Sequence, residues 1–329
     1  MKKIIVTGGL GFIGSNLIDL LIKRKFKVIN LDKITYSSNF YNVKEFQKSK
    51  KYKFIKCDIK DKKLKNILFK YRPDCIFNLA AETHVDRSID NPEIFYKSNV
   101  KGVLVLLEQL RKFKKQNRQI KFLHVSTDEV YGDITPGKTS VETDAYKPSS
   151  PYAASKASAD HLIRSYYRTF KLPVIITNCC NNYGPRQFPE KLIPKLILNL
   201  IGNKKLPIYG KGMNQREWIH VDDHCEALIR IFKKGKIGES YNIGSGDIVS
   251  NNMISKKLIK LFKTKVNKDC KSKVIYVKDR PGHDLRYALN SNKIKKLGWK
   301  KKFDLDKGLF LTIKWYLKNT YLQKKINTN

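Results

Sequence analysis

The stretch Lys3-Ile4-Ile5-Val6-Thr7-Gly8-Gly9-Leu10-Gly11-Phe12-Ile13-Gly14 decides the fold of this chain. Residues 3–6 form a short apolar run rich in β-branched side chains, which predicts a buried strand. The glycines at 8, 11 and 14 give the pattern GxxGxxG, a variant of the loop that binds the pyrophosphate of a dinucleotide. The helix predicted to follow, over residues 12–25, would direct its N-terminal amides at that anion.

A second predicted strand, residues 27–31, ends at Asp32. An acid about 20 residues past the glycines is placed to bind a ribose 2′-hydroxyl, which favours NAD over NADP. A glycine turn in an unrelated α/β protein is the alternative interpretation. The sequence of strand, loop, helix, strand and acid favours the dinucleotide site.

The alternation of strands and helices continues to about residue 177. We predict strands at residues 53–58, 75–79, 120–125 and 174–177, and helices at 99–113 and 152–170. This order is typical of an α/β protein with a doubly wound parallel sheet of the Rossmann type. Prolines and glycines become frequent after Asn178, which indicates a smaller C-terminal substrate-binding lobe. We therefore predict an NAD-binding domain over 1–177, to which part of about 214–243 returns, and a lobe that occupies mainly 178–329.

Composition limits the class of protein. The chain has 329 residues, 41% of them hydrophobic, and no apolar run approaches the length of a membrane span. The first predicted strand begins at residue 3, so we expect no signal peptide and no membrane partner. The six cysteines are scattered without a CxxC pair, which favours a reduced, cytoplasmic protein.

The formal net charge of +38 raises the alternative of a nucleic-acid-binding protein. The basic residues are spread along the whole chain, and no aromatic-interleaved basic stripe or nucleic-acid motif accompanies them. We therefore expect no specific nucleic-acid partner. The charge should still attract an anionic small molecule in a salt-sensitive way.

Two further segments carry candidate catalytic residues. Tyr152 and Lys156 lie four residues apart, so a helix would place them on one face, where the ammonium would favour the phenolate form of the tyrosine. Such a tyrosine can take a proton from an alcohol. The adjacent Asp128 and Glu129 supply a second acid and base, which indicates a second reaction such as elimination of water. A solvated pair of turn residues is the alternative.

A metal site is the other chemistry that the sequence suggests. His220 and His224 share a helical spacing, but no pattern supplies a third ligand. We expect a structural role for both histidines and no metal.

Seven further segments form a recognisable set: AAETHVDRS at 80–88, STDEVYG at 126–132, PSSPY at 148–152, NCCNNYGP at 178–185, QFPEKLIP at 187–194, DRPGHD at 279–284 and RY at 286–287. Through them the chain resembles, almost from end to end, the extended short-chain dehydrogenases/reductases and, within them, the dTDP-glucose 4,6-dehydratases. The sequence departs from the family pattern at Thr83 and Cys180, where serine is common. Either change could adjust which nucleotide or sugar fits.

The resemblance implies the reaction and its catalytic residues. Tyr152, aided by Lys156 and Thr127, would remove the proton of the sugar 4-hydroxyl while NAD takes the hydride. Glu129 would then remove the C5 proton, and Asp128 would protonate the departing 6-hydroxyl. Return of the hydride to C6 and reprotonation of C5 would give dTDP-4-keto-6-deoxyglucose, a precursor of rhamnose-type deoxysugars, so NAD should stay tightly bound.

The resemblance also implies two binding sets. The residues expected to bind NAD are Gly8, Gly11, Phe12, Ile13, Gly14, Asp32, Lys33, Thr35, Asp58, Ile59, Leu79, Ala80, Ala81, Thr83, Ser98, Tyr152, Lys156 and Asn182. The residues expected to bind the nucleotide sugar are Thr83, His84, Thr127, Asn181, Lys191, Leu192, Pro207, Ile208, Tyr209, Arg216, Asn251, Arg280 and His283. Lys191, Arg216 and Arg280 are the candidate cations for its diphosphate.

The resemblance further implies a homodimer, in which the helices at 99–113 and 152–170 would form a four-helix interface. Three alternatives to dTDP-glucose dehydration stay open. The chain could be a UDP-glucose 4,6-dehydratase, a UDP-sugar epimerase, or a non-catalytic protein that senses NAD or binds nucleic acid. The intact catalytic set argues against the last of these.

Overall fold

The computed structural model describes residues 1–114, 116 and 119–319. Its strands are β1 (Lys3–Thr7), β2 (Lys27–Asp32), β3 (Tyr52–Lys56), β4 (Cys75–Asn78), β5 (Lys121–Thr127), β6 (Val174–Cys179), β7 (Asn181–Tyr183), β8 (Leu206–Tyr209), β9 (Gln215–His220), β10 (Ser240–Ile243), β11 (Ile248–Ser250) and β12 (Val274–Val277). Its α-helices are α1 (Phe12–Lys23), α2 (Lys63–Tyr71), α3 (Val85–Asp90), α4 (Pro92–Phe95), α5 (Gly102–Lys114), α6 (Pro151–Phe170), α7 (Leu192–Ile201), α8 (Val221–Lys234), α9 (Asn251–Lys265), α10 (Asn292–Lys296) and α11 (Leu305–Lys318). A π-helical segment, Tyr96–Lys101, joins α4 to α5.

Seven parallel strands form the central sheet in the order β10-β6-β5-β4-β1-β2-β3. The chain runs outward from β1 through β2 to β3, returns to β4 on the other side of β1, and continues to β5 and β6. This reversal lies between β1 and β4, where open α/β sheets bind their ligands. The predicted doubly wound Rossmann-type sheet is confirmed.

Helices cover both faces of this sheet because the side chains of each buried strand alternate between them. On β1, Ile4 and Val6 pack in one core cluster with Leu17 of α1 and Leu228 of α8. Ile5 points to the opposite face, where the core is completed by residues of α2, α5 and α6, among them Leu64, Leu106 and Ile163.

The predicted elements differ from the observed ones mainly at their ends. The first helix stops at Lys23 and not at residue 25, since Lys25 takes a left-handed conformation with φ of 65°. The fourth strand stops at Asn78, and β5 and β6 each run two residues beyond their predicted ends, to Thr127 and Cys179. The extension of β5 makes Thr127 the last strand residue before the Asp-Glu pair.

A third core cluster lies in the C-terminal part of the chain. It brings together side chains of α7, α9 and α11, including Leu196, Leu258 and Leu309. Two small sheets, β11-β9-β7 and β12-β8, accompany these helices. The predicted smaller C-terminal lobe is thus present, although residues 320–329 of its predicted range lie outside the described residues.

The strand β10 pairs in parallel with β6 and places Ser240–Ile243 at the edge of the central sheet. The predicted division at residue 177, with part of 214–243 returning to the first domain, stays a prediction. Within the described ranges, no helix combines the length and the apolar character that a bilayer crossing requires.

Candidate active site

A single cleft opens at the carboxyl ends of β1, β4, β5 and β6. Every residue predicted to bind NAD lines it: Gly8, Gly11, Phe12, Ile13, Gly14, Asp32, Lys33, Thr35, Asp58, Ile59, Leu79, Ala80, Ala81, Thr83, Ser98, Tyr152, Lys156 and Asn182. The five predicted catalytic residues line the same cleft. The sheet thus brings together segments that are far apart in the sequence.

The glycine loop leaves no room for side chains. Gly8 has φ of +70°, and a Cβ there would lie 2.9 Å from the backbone nitrogen of Ala80. A Cβ on Gly14 would lie 2.3 Å from the carbonyl oxygen of Gly8. Gly11 begins α1 without a capping side chain, so the first amides of the helix remain available to an anion. The loop therefore fits a pyrophosphate.

Asp32 follows at the end of β2 and is 6% exposed. Its Oδ2 accepts a hydrogen bond from Leu10 N at 3.0 Å, and its Oδ1 accepts from Ile34 N at 2.8 Å and from Ser38 Oγ at 2.9 Å. These donors fix the carboxylate at the cleft. A fixed carboxylate can accept from a ribose hydroxyl and repels a 2′-phosphate, so the cleft fits NAD better than NADP.

Local sequence explains how the catalytic helix is positioned. Ser150 caps α6 by accepting from Ala153 N at 3.1 Å, and Pro151 occupies the first turn. Tyr152 and Lys156 then follow one turn apart, both almost fully buried. The Lys156 Nζ donates to the carbonyl oxygen of Val125 at 2.7 Å, which ties α6 to β5.

The Asp-Glu pair begins a short 3₁₀ turn after β5, Asp128–Tyr131. The Thr127 hydroxyl accepts from Glu129 N at 3.3 Å and donates to Asp128 Oδ1 at 3.2 Å. Asp128 is 4% exposed. Glu129 is half-buried, and both residues line the cleft, so the interpretation of the pair as a solvated turn is wrong.

The two carboxyl groups differ in their electrostatic surroundings. Burial, and then the charges of Glu129 and Glu217, raise the pKa of Asp128 well above its ordinary value. Burial also raises the pKa of Glu129, but the nearby cations Arg280, Arg216 and Lys191 oppose this effect. Asp128 is thus the better proton donor of the pair, and Glu129 the better base.

The pKa shifts of Tyr152 and Lys156 differ from what their spacing in the sequence predicts. Burial, and then the Glu129 carboxylate, raise the pKa of Tyr152 well above its ordinary value, whereas a Thr127 hydrogen bond lowers it. The expected lowering by Lys156 is therefore not the dominant effect in this structure. Burial also lowers the pKa of Lys156 to about 8, so a large fraction of its ammonium form loses the proton at about this pH.

The predicted substrate residues fall into two groups. Those that line the cleft are Thr83, Thr127, Asn181 and Lys191. Those outside its lining are His84, Leu192, Pro207, Ile208, Tyr209, Arg216, Asn251, Arg280 and His283. Two of the second group share a partner, since the Asp86 carboxylate lies 3.5 Å from Arg280 Nη1 and accepts from Tyr209 OH at 3.3 Å.

Sequence reasoning did not select several other lining residues, namely Leu31, Ser37, Ser38, Cys57, Val125, Ser126, Cys179, Cys180, Gln187, Phe188 and Glu190. A signal was present for Glu190, because it lies inside the motif at 187–194. Its Oε1 accepts from Tyr36 OH at 3.1 Å, and its Oε2 lies 3.8 Å from both His84 Nε2 and Arg87 Nη2.

The two histidines considered for a metal take part in local contacts. His220 caps α8 by accepting from Asp222 N at 3.3 Å, and His224 Nδ1 lies 2.8 Å from Asn182 Oδ1. Across the described residues, no group of three or more His, Cys, Asp or Glu side chains has the geometry of a metal site.

Comparison with known proteins gives the family. The model of the family described as GDP-mannose 4,6 dehydratase matches residues 5–311. The dTDP-glucose 4,6-dehydratase of Salmonella typhimurium is 45% identical over 339 residues, covering 97% of this chain and 93% of that protein. That of Neisseria meningitidis is 44% identical over 99% of this chain and 97% of its own length.

Comparison with solved structures points to the same family as the sequence comparison. The dTDP-glucose 4,6-dehydratase of Bacillus anthracis, crystallised in complex with NAD, has a TM-score of 0.89 and 42% identity over 99% of this chain and all of that chain. The UDP-glucose 4-epimerase of Thermotoga maritima, crystallised with UDP-glucose, has a TM-score of 0.87 but only 30% identity over 96% of this chain and 99% of that chain. The fold is shared with epimerases, whereas the sequence is nearer to the dehydratases. The chain belongs to the nucleotide-sugar 4,6-dehydratase family and, within it, to the dTDP-glucose 4,6-dehydratases.

Proposed function

We propose that this protein converts dTDP-glucose to dTDP-4-keto-6-deoxyglucose and water, with NAD as its bound cofactor. One observation carries the proposal. The Tyr152/Lys156 pair and the Asp128/Glu129 pair line the same cleft as the glycine loop. An epimerase or a simple alcohol dehydrogenase needs the first pair and the loop, but it has no use for two further carboxyl groups in unlike surroundings.

The glycine loop and the N-terminus of α1 would hold the pyrophosphate of NAD, and Asp32 would hold its ribose. When bound, NAD supplies a reversible hydride acceptor. Lys156 lines the cleft with its Nζ anchored on Val125 O, so it can hold a ribose hydroxyl and place positive charge beside the reacting oxygen. These residues act by orientation and charge.

Tyr152 is proposed as the base that receives the proton of the sugar 4-hydroxyl. Thr127 can assist by turning its hydroxyl hydrogen from Asp128 Oδ1, 3.2 Å away, to the phenolate, because a hydrogen bond from Thr127 lowers the pKa of Tyr152 against the effect of burial. The first half of the reaction therefore depends on groups from the end of β5 and the start of α6.

Glu129 and Asp128 are proposed to carry out the elimination. A ketone at C4 acidifies the neighbouring C5 proton, which Glu129 removes. Asp128, kept protonated by its burial and its anionic neighbours, donates a proton to the 6-hydroxyl, which leaves as water. The protons balance, since one is taken from C5 and one is given to the leaving oxygen.

The diphosphate of the substrate is proposed to meet Lys191, Arg216 and Arg280. Each lies near enough to Glu129 to lower the pKa of that carboxyl. Arg216 is 5% exposed, and its guanidinium is oriented by the carbonyl oxygens of Asp284, at 2.9 Å, and Gln215, at 2.8 Å. An arginine fixed in this way is suited to bind phosphate in a defined direction.

A homodimer and a cytoplasmic location belong to the same proposal. The helical region from α4 to α5 exposes the large apolar side chains Ile94, Tyr96 and Leu104, which a second subunit would cover. All six cysteines are described, and each is a buried free thiol, in keeping with a reducing compartment.

The proposed function is tested by mass spectrometry of the purified protein after separate incubation with dTDP-glucose and UDP-glucose, without added NAD. We expect loss of one water, faster with dTDP-glucose. Faster loss from UDP-glucose would move the assignment to the uracil nucleotide. A product of unchanged mass but altered sugar configuration would show an epimerase instead.

A further inference from the structure

A buried carboxyl group lies directly below the proposed catalytic pair and has no part in the proposed mechanism. Asp160 follows Lys156 by four residues and Tyr152 by eight, so all three share one face of α6. Its side chain is fully buried. A buried carboxylate requires compensating donors or a counter-charge, so its partners indicate what it does.

One oxygen of Asp160 is fully engaged, and the other is not. Oδ2 accepts from Ser126 Oγ at 2.7 Å and from Tyr146 OH at 3.1 Å. Oδ1 has no hydrogen-bond partner among the described residues and lies 3.7 Å from His124 Nε2. Arg164 supports this arrangement from the far side, since its Nη2 donates to the Tyr146 oxygen at 3.1 Å. Burial raises the pKa of Asp160, but the Lys156 charge and then the hydrogen bonds from Ser126 and Tyr146 oppose this effect and favour the ionised carboxylate.

The tautomer of His124 follows from a chain of hydrogen bonds that begins at β1. The Thr7 hydroxyl accepts from the amides of Leu79 and Ala80, so its own hydrogen goes to Asn78 Oδ1 at 2.7 Å. This orients the Asn78 amide, whose nitrogen lies 2.9 Å from His124 Nδ1 and must donate to it. The hydrogen of the neutral imidazole is therefore on Nε2.

That hydrogen determines what His124 can do for Lys156. Nε2 lies 3.3 Å from Lys156 Nζ, but a nitrogen that carries a hydrogen cannot accept from an ammonium. Asp160 Oδ1 lies 3.7 Å from this Nε2, an electrostatic contact that is longer than a hydrogen bond. Burial, and then the charge of Lys156, lower the pKa of His124 well below its ordinary value, so the ring stays neutral. The Asp160 charge is the largest effect that raises the pKa of Lys156 against burial.

We propose that Asp160 and His124 are positioning residues that keep Lys156 as an ammonium ion and fix its direction in the cleft. The inference rests on the proposed function, because it assigns a role in that reaction. Besides Asp160 and His124, the titratable groups that face Lys156 are Tyr152 on α6 and Cys179 on β6. The Cys179 thiol stays protonated because burial raises its pKa to about 12.

The test is the pH profile of kcat in Asp160→Asn. Burial lowers the pKa of Lys156, and the Asp160 charge opposes that effect. Without the carboxylate the ammonium should be lost at lower pH, so we expect the alkaline limb to move down by about one pH unit. We expect KM to change less than twofold. Ser158→Ala, on the exposed face of the same helix, is the matched control and should keep the wild-type profile.

A second variant keeps the inference testable if Asp160→Asn does not fold. The double variant Ser126→Ala/Tyr146→Phe removes both hydrogen-bond donors to Asp160 and leaves the Asp160 side chain itself unchanged. The carboxyl should then protonate more readily and produce a smaller shift in the same direction. An alkaline limb that stays in place in either folded variant, or moves to higher pH, would overturn the proposal. A wild-type protein without dehydratase activity would instead contradict the proposed function.

Discussion

At the scale of single residues, the Asp-Glu pair separates this site from that of a simple dehydrogenase. The two side chains are neighbours in sequence, yet the strongest charge effects on the pKa of Asp128 come from two carboxylates, and those on Glu129 come from three cations. A sequence can reveal that two carboxyl groups are adjacent. It does not reveal their unlike surroundings, because Glu217, Arg216 and Arg280 reach them from distant parts of the chain.

We expect Glu129→Gln to reduce turnover by about 10²- to 10⁴-fold, the usual contribution of a general base. The amide cannot take the C5 proton, so exchange of that proton with solvent deuterium should stop as well. Asp128→Asn should also lose turnover but retain the exchange, because its defect follows proton removal. Mass spectrometry and proton NMR of the sugar in D₂O measure both quantities. Wild-type exchange in Glu129→Gln would refute the assigned roles.

The raised pKa of Asp128 also predicts a stability effect. The pKa of this carboxyl is higher in the folded protein than in the unfolded chain. Between these two pKa values the unfolded chain releases the proton and the folded protein keeps it, so the free energy of unfolding falls as pH rises. Asp128→Asn removes this dependence. We expect the free energy of unfolding of the variant to exceed that of wild type by about 1 kcal/mol at pH 8 and by a smaller amount near pH 5.

Urea denaturation of both proteins at the two pH values measures this difference. Asp269→Asn, at an exposed position in the C-terminal lobe, is a suitable control. A stability gain for Asp128→Asn that does not grow with pH would show that Asp128 is ionised in the folded protein.

At the scale of elements, the first βαβ unit could be predicted almost completely from the sequence. Its strands are continuous apolar runs and its turn requires glycines, so each signal is local. The helix α2 was not predicted. Its buried Leu64, Ile67 and Leu68 have helical spacing, but lysines at 60, 62, 63 and 65 lie among and before them and obscure the apolar pattern.

The π-helical segment Tyr96–Lys101 shows the limit of local reasoning. The sequence predicts an ordinary helix over 99–113, but residues 96–101 form a π-helix, in which Asn99 contacts the loop after β4 and the helix α6. Its Oδ1 accepts from Glu82 N at 2.9 Å, and its Nδ2 donates to Ser155 Oγ at 2.9 Å. These partners lie far away in sequence, which is why the distortion had no sequence signal. Such segments often occur at functional sites.

The tight glycine loop gives a prediction at this scale. A side chain at position 14 would collide with the Gly8 carbonyl oxygen at 2.3 Å and with Gly9 Cα at 2.8 Å, so Gly14→Ala must displace the loop. We expect the purified variant to contain at least about tenfold less NAD than wild type, since the loop's amides would lose their alignment. Chromatography of the nucleotide released on denaturation measures this content.

The control for that prediction is Gly202→Ala. Its Cβ would lie 3.4 Å from the nearest atom, the Leu198 oxygen, and its φ of −84° suits any residue. It should retain the wild-type NAD content. Equal NAD content in Gly14→Ala would show that the loop does not hold the cofactor.

At the scale of the whole molecule, the cleft depends on parts of the chain that the fold brings together. Most of the residues proposed to bind NAD belong to the first 177 residues, whereas Asn182 and the proposed phosphate-binding cations Lys191, Arg216 and Arg280 lie beyond them. The basic residues that give the net charge of +38 are not concentrated in one segment, since lysines occur throughout the sequence. Charge alone therefore could not select the phosphate-binding cations, and the family motifs were needed to do so.

The proposed dimer is the last prediction, and it too depends on the whole molecule. Leu104 on α5 is 37% exposed and Tyr96 beside it is 59% exposed, although both belong to a region that otherwise packs against α6. We expect Leu104→Lys to weaken self-association at least tenfold, because a charge would be buried at the interface. Light scattering over a concentration series measures it. Met253→Lys, which changes an exposed apolar side chain on α9, should leave association unchanged. A wild-type protein that is monomeric at every concentration would contradict the dimer, and equal effects of the two variants would place the interface elsewhere.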